Sequence, residues 1–296
     1  MFATNPVTVR TLLGQKTLEV SLTCLPTLAR YSADPVRLIV HEDGTLGDAG
    51  RNALRQALPG AEFVGRAESD AAVVPRLAKY PRCLAARSSS PLFLKVFDIA
   101  LLETGELRYA DSDVLFLRRY AGLFGGASLA FPAVFMADVK EAYAVRPWHL
   151  WPVGPVRLGS RVNTGVVRAR PAFLDLDFLE WLLGRLGNHP VWGRRWYWAE
   201  QTCWAALAGR ARCGLWDPRQ LVVATADMAG YGNESVAVHF VSTFRHHLFA
   251  YAGRNVSPGG PPASIRVRAA ARVGPVGQLA SDLRARVRGV PAAKVA

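Results

Sequence analysis

The stretch Tyr109-Ala110-Asp111-Ser112-Asp113-Val114-Leu115-Phe116 sets two aspartates at i and i+2 on the edge of an apolar run. In extended chain, residues two apart project to the same side, so Asp111 and Asp113 stand together. Two carboxylates that close repel each other unless a cation or protons intervene. A hard divalent ion with oxygen ligands, its shell completed by a bound phosphate, is the natural partner. As a bare pattern, Asp-x-Asp also closes strands into solvated turns. Its place at the end of a strand favours a site, because ligands of α/β sheets gather at the carboxyl ends of the strands.

Residues 92–102 carry Phe93, Val96, Phe97, Ala100 and Leu101 on one stripe, with Lys95 and Asp98 on other faces, which predicts a helix ended by Gly105 and followed by a strand over 107–110. Upstream, 18–31 has helical spacing, Asp34-Pro35 breaks it, 36–40 is a β-branched run, and His41-Glu42-Asp43-Gly44 is a polar turn before a helix over 48–58. Downstream, strands are expected over 129–135, 162–168 and 236–240, and helices over 173–186 and 200–208. Alternation of this kind predicts an α/β protein with a mostly parallel central sheet flanked by helices. No internal repeat is found. Residues 1–252 read as one domain. From 253 the chain turns Pro/Gly-rich and then basic, with eight cations against one anion after residue 253. Within this tail, 276–290 fits a short basic amphipathic helix with Leu279, Leu283 and Val287 in line, and a frayed solvated segment fits equally well.

A chain of 296 residues that is 50% hydrophobic and 20% charged buries a real core, which excludes wholesale disorder and collagen-like or small disulfide-scaffold classes. The net charge of +13 argues for an anionic partner: nucleic acid, phospholipid or a phosphorylated substrate. The Arg-, Ala- and Gly-rich composition is also what GC-rich coding produces. The four cysteines form no CxxC pair, so neither a zinc ribbon nor a disulfide framework is supported. The N-terminus lacks a charged region followed by an apolar core, and a cytoplasmic location is expected, with contact at the inner face of the membrane through the basic tail. The uncharged run between Arg119 and Asp138 approaches a membrane span in length, but Gly122, Gly125, Gly126 and Pro132 suit a loop entering a buried strand.

At this point the chain resembles the nucleotide-sugar glycosyltransferases of the GT-A fold, especially the retaining glycogenin and galactosyltransferase-like (family 8-like) group. Leu94-Lys95-Val96-Phe97-Asp98 leading to Asp111-Ser112-Asp113 is similar to that family's basic helix and Asp-x-Asp strand. Arg161-Val162-Asn163-Thr164-Gly165 resembles its Asn-Ser/Thr-Gly strand, Glu200-Gln201 its acidic-Gln pair, and Val238-His239-Phe240-Val241-Ser242-Thr243-Phe244-Arg245 its His-Phe-x-Gly-x-x-Lys element. All four stand in family order across about half the chain. Ser242, Arg245 and His247 depart from the usual Gly, Lys and Trp, and Arg245 keeps the cationic role. The family's first nucleotide-binding strand has no recognisable counterpart, which leaves base recognition unassigned.

The resemblance implies a retaining transfer of sugar from a nucleoside diphosphate donor, a UDP-sugar for preference, to a glycan, lipid-linked or other acceptor, in a setting such as bacterial surface glycan synthesis. It implies Mn2+ or Mg2+ held by Asp111, Asp113 and His239. Lys95, Asp98, Asp111, Ser112 and Arg245 would serve the nucleotide, and Asn163, Glu200 and Gln201 the catalytic side. Each has a plainer reading: His239 as a buried, hydrogen-bonded histidine, Asn163 as a turn residue, and Glu200 as a favourable charge at a helix start. Sugar rings could stack on the aromatic stretch 190–198 or on Trp148 and Trp151, residues that ordinary burial also explains. A nucleotidyltransferase would use the same paired carboxylates, but no Gly-rich basic phosphate loop is present near the N-terminus. A nonenzymatic protein binding nucleic acid or anionic membrane is the remaining class; the resemblance makes nucleic acid the weaker partner.

Overall fold

In the computed structural model, the N-terminal residues Val-Thr-Val-Arg-Thr-Leu-Leu form β1 (Val7–Leu13), an inner strand of an eight-stranded sheet. The described residues are 5–125, 130–145, 156–187, 196–226, 233–252, 260–273 and 275–287. The linker 253–259, Trp148, Trp151 and residues 190–195 lie outside them. Sequence reading missed β1 because Arg10 interrupts its apolar pattern. Arg10 is nonetheless buried: its guanidinium meets His41 Nε2 at 3.0 Å and donates to Glu103 at 2.9 Å.

From β1 the chain runs through α1 (Leu18–Tyr31) to β2 (Val36–Glu42), α2 (Asp48–Ala57) and β3 (Glu62–Val64), each strand joining parallel to the last. Helix α1 buries Leu25 and Leu28 against Val9, Leu13 and Val40 of the sheet, each such side chain stabilising by roughly 1.5–3 kcal/mol. Two helices absent from the sequence reading, α3 (Arg66–Leu77) and α4 (Pro81–Ser89), lead to a π-helical turn, Lys95–Ile99, inside the helix expected over 92–102. Next comes β4 (Leu107–Ala110), which pairs with the opposite side of β1. The order β3-β2-β1-β4 therefore reverses at β1, and the carboxyl ends of β1 and β4 flank the crevice where such sheets bind ligands.

Beyond β4 lie β5 (Val114–Phe116), β6 (Tyr120–Ala121), β7 (Ala133–Ala137), β8 (Leu158–Gly159) and β9 (Val162–Ala169), then α5 (Leu176–Leu186) and α6 (Ala199–Arg210). Strand β7 begins four residues later than the expected start at 129. The remaining strands are β10 (Gly214–Trp216), β11 (Leu221–Val223), β12 (Ala237–His239), β13 (Ala263–Ser264), β14 (Val267–Ala269) and β15 (Arg272–Val273), followed by α7 (Pro275–Val287). The large sheet reads β14-β10-β7-β9-β4-β1-β2-β3, mostly parallel, with β9 and β14 antiparallel to their neighbours. A smaller sheet is ordered β11-β12-β5, and its strand β5 follows β4 after the turn at 111–113. The basic C-terminal segment is stitched to the body, since β13 pairs with β6, β14 with β10 and β15 with β8. Among the described residues, no helix is long and apolar enough to cross a membrane.

Candidate functional site

Antiparallel pairing of β12 with β5 sets His239 opposite Val114, and the Phe240 N–H donates to the Asp113 carbonyl at 3.0 Å. This register brings together residues 126 positions apart in sequence. His239 Nε2 lies 3.2 Å from Asp113 Oδ1 and 3.5 Å from Asp111 Oδ2. Asp111, Asp113 and His239 each offer one ligand atom, all within 4.8 Å of one another. The Asp111 N–H donates to the Gly165 carbonyl at 2.7 Å, which ties the acidic turn to β9. Ser112 is buried between the two aspartates.

The residues present fit a divalent cation. Asp113 Oδ1 is buried and faces His239 Nε2 at 3.2 Å. Asn163 Nδ2 donates to Asp138 Oδ2 at 3.0 Å, and a carboxylate only accepts, so the amide orientation follows and Asn163 Oδ1 faces His239 Nδ1 at 3.0 Å. Nδ1 therefore carries the proton in the neutral ring and Nε2 presents its lone pair to the aspartates, the arrangement usual for a metal-binding histidine. Two carboxylates and an imidazole suit Mn2+ or Mg2+, the imidazole favouring the former.

Close packing imposes this geometry. Gly165 on β9 leaves room for the ring: a Cβ there would lie 2.3 Å from His239 Nδ1. Burial alone would raise the Asp113 carboxyl and lower His239, but the two outweigh burial for each other, leaving the acid well below its ordinary range and the imidazole above. Arg245 adds to this, donating to Asp113 Oδ2 through Nε at 3.0 Å and Nη2 at 2.7 Å.

Lys95 projects from the π-helical turn to Asp111 at 2.9 Å, Thr164 Oγ1 at 3.1 Å and Glu200 at 3.7 Å. Burial disfavours its charge, yet Asp111 and Glu200 hold its pKa above the ordinary lysine value. Asp111 also accepts the Tyr109 hydroxyl at 2.5 Å. Glu200, at the start of α6, accepts from Thr164 at 3.3 Å, and burial pushes its carboxyl up to about 7. Gln201 beside it donates to Ala142 O at 2.9 Å and Asp138 Oδ2 at 3.3 Å. Asp98, one turn from Lys95, serves a different partner: it takes the Arg87 guanidinium at 2.6 and 2.7 Å, in a chain that continues to Asp70 and Arg66.

Sequence reading thus named residues that the fold brings into one network, apart from Asp98. It missed Asp138, which links Asn163 to Gln201, and Thr164, which links Lys95 to Glu200. Thr164 lay inside the quoted Asn-Thr-Gly motif; Asp138 had no local signal. It also missed the end of β1, where Gly14 stands beside Asp43: a Cβ on Gly14 would lie 2.0 Å from Asp43 Oδ2. Asp43 Oδ1 accepts from the Thr45 N–H and hydroxyl at 2.8 and 2.6 Å, and Thr45 Oγ1 accepts from the Gln15 N–H at 2.9 Å. Gln15 Oε1 accepts from Gly47 N–H at 3.3 Å. Asp43 Oδ2 and Gln15 Nε2 remain without a partner among the described residues.

No family model matches the chain, and no curated protein matches it by sequence. Solved structures do. Mouse xyloside xylosyltransferase 1, in its apo form, superposes with a TM-score of 0.50 at 11% identity over 81% of this chain and 99% of that one. Apo glycosyltransferase GlyE of Streptococcus pneumoniae TIGR4 gives a TM-score of 0.53 at 10% identity over 86% of this chain and 61% of that one. The fold is the GT-A fold expected from the motif order.

Proposed function

We propose that the protein is a metal-dependent glycosyltransferase that moves a sugar from a nucleoside diphosphate donor, a UDP-sugar for preference, to an acceptor hydroxyl with retained anomeric configuration. The observation that carries this reading is the convergence of Asp111, Asp113 and His239, one ligand atom from each within 4.8 Å of the others, at the reversal point of a GT-A sheet. When bound there, Mn2+ or Mg2+ supplies positive charge to the diphosphate as the glycosidic bond breaks. Arg245, anchored on Asp113, presents the rest of its guanidinium to the distal phosphate and stabilises the same developing charge. Lys95 holds the Asp111 carboxylate in place through its ammonium, 2.9 Å away.

The end of β1 supports a donor base that pairs a ring N–H with a neighbouring carbonyl. Asp43 Oδ2 can accept the N3–H of uracil while Gln15 Nε2 donates to the adjacent carbonyl; guanine offers the same pair through N1–H and O6, whereas cytosine and adenine offer no such ring N–H. The acceptor side supports retention. Inversion requires a carboxylate base beside the acceptor hydroxyl, but the Glu200 carboxylate is buried against Lys95 and Thr164, and Gln201, which is not a base, stands next to it.

Isothermal titration with UDP, GDP, CDP and ADP, with and without Mn2+, tests the reading, together with a donor-hydrolysis screen. Metal-dependent binding of UDP that disappears in Asp113→Ala is expected. Polyanion binding that ignores the metal and survives Asp113→Ala would instead mark a nonenzymatic basic protein.

A further inference from the structure

The C-terminal helix α7 presents an apolar stripe to solvent. Val276 is 74% exposed, Leu279 40%, Leu283 53% and Val287 88%. At 100° per residue these four positions fall within an arc of about 80°, a single line along a helix about 20 Å long. Apolar side chains lined up in water lose the burial that ordinarily keeps them there, and a stripe of this kind marks an interaction surface.

The charge around the stripe identifies the partner. Arg284 is exposed on α7, Arg272 on the adjoining β15, Arg268 on β14 and Arg212 just before β10. These elements adjoin: α7 follows β15, Arg272 Nε donates to Ala211 O at 3.2 Å, and β10 pairs with β14. None of the four arginines is paired with a carboxylate among the described residues, and the only acid after residue 253 is Asp282. A second copy of the chain would bring the same positive face and be repelled. Nucleic acid would use the arginines and leave the leucines in water. A surface with anionic headgroups over hydrocarbon satisfies both halves of the face.

We propose that α7 lies in the plane of an anionic membrane, its Val276–Leu279–Leu283–Val287 stripe in the acyl boundary and its arginines among the headgroups. The proposal is independent of the catalytic reading, since none of these residues belongs to the metal or nucleotide site.

Flotation of the full chain with phosphatidylcholine vesicles, alone or containing phosphatidylglycerol, tests it. Binding is expected to the anionic vesicles only, to weaken at high salt, and to fall about fivefold for each arginine neutralised, as in Arg284→Gln or Arg272→Gln. Leu279→Ser/Leu283→Ser should abolish vesicle binding while nucleotide titration in solution stays at the wild-type value, which shows that the variant is folded. Failure to bind anionic vesicles, or binding unchanged in that double variant, overturns the proposal. So does a dimer in light scattering that the double variant dissolves while vesicles remain unbound.

Discussion

Replacing Gly165 with alanine isolates the close contact on which the metal site depends. A Cβ at 165 would lie 2.3 Å from His239 Nδ1, 2.8 Å from Cε1 and 2.9 Å from Cγ. Ordinary contact between heavy atoms is about 3.5–4.0 Å, so the ring must retreat by roughly 1 Å or more. Metal–ligand distances tolerate about 0.2 Å, and a shift of this size takes Nε2 out of the ligand set. The same retreat breaks the Nδ1–Asn163 bond that sets the tautomer. Loss of such a supporting contact alone weakens metal binding by about 10–100-fold, which is the minimum expected for Gly165→Ala. An alanine on a strand without strain would stabilise by about 0.4–1 kcal/mol through the unfolded chain; the overpacking here should reverse the sign, costing about 1–3 kcal/mol. Titration of UDP into the variant with and without Mn2+, alongside thermal unfolding, reads both effects. In Gly165→Ala/His239→Ala the clash is gone, so the unfolding temperature should recover while metal dependence does not. Wild-type Mn2+ dependence in Gly165→Ala would refute the idea that His239 reaches the cation over this glycine.

Other outcomes follow from the same network. Lys95→Met leaves Asp111 and Glu200 without their buried cation and should destabilise the fold by about 3–5 kcal/mol in denaturant titration. Glu200 has a folded-state pKa raised to about 7, so its contribution to stability is fully present below its unfolded value of about 4.5 and is lost as pH rises to about 7. Wild type measured against Glu200→Gln should therefore lose relative stability between pH 5 and 7.5, by roughly 3 kcal/mol at most; parallel pH profiles of the two would contradict the buried acid. Arg245→Lys should retain most of the UDP affinity and Arg245→Ala should lose about tenfold or more, as measured by titration in Mn2+. Asp43→Asn should weaken UDP binding and improve CDP binding, because an amide can donate to cytosine N3; unchanged base preference would remove Asp43 from donor recognition.

Much of the architecture was legible because it rests on local pattern. Helical spacing over 18–31, the β-branched run at 36–40 and the strand ending at Asp111 need no distant contact to be read. The elements that escaped are those whose burial comes from elsewhere. Arg10 makes β1 look polar, although inside the fold Glu103 balances its charge and His41 accepts a hydrogen bond from it. The helices α3 and α4 carry their polar residues into the Arg66–Asp70–Arg87–Asp98 chain, which no sequence window displays. That chain also explains why Asp98, one turn from Lys95, does not share its partners.

Residue types alone marked the site: two aspartates at i and i+2 follow an apolar strand, and the order of four short motifs pointed to the GT-A fold, although residues 111–113 form a turn between β4 and β5, closed by the Val114 N–H on the Asp111 carbonyl, and not the extended chain that the spacing suggested. That His239 meets the two aspartates follows from the antiparallel register of β12 on β5, and its ring is oriented by Asn163 over a glycine. Tertiary packing also joins Asp138 and Thr164 to the network and leaves α7 carrying its leucines outward. Periodicity reports which face of an element is apolar, whereas a cation site or a docking surface depends on which elements become neighbours, and long-range packing settles that.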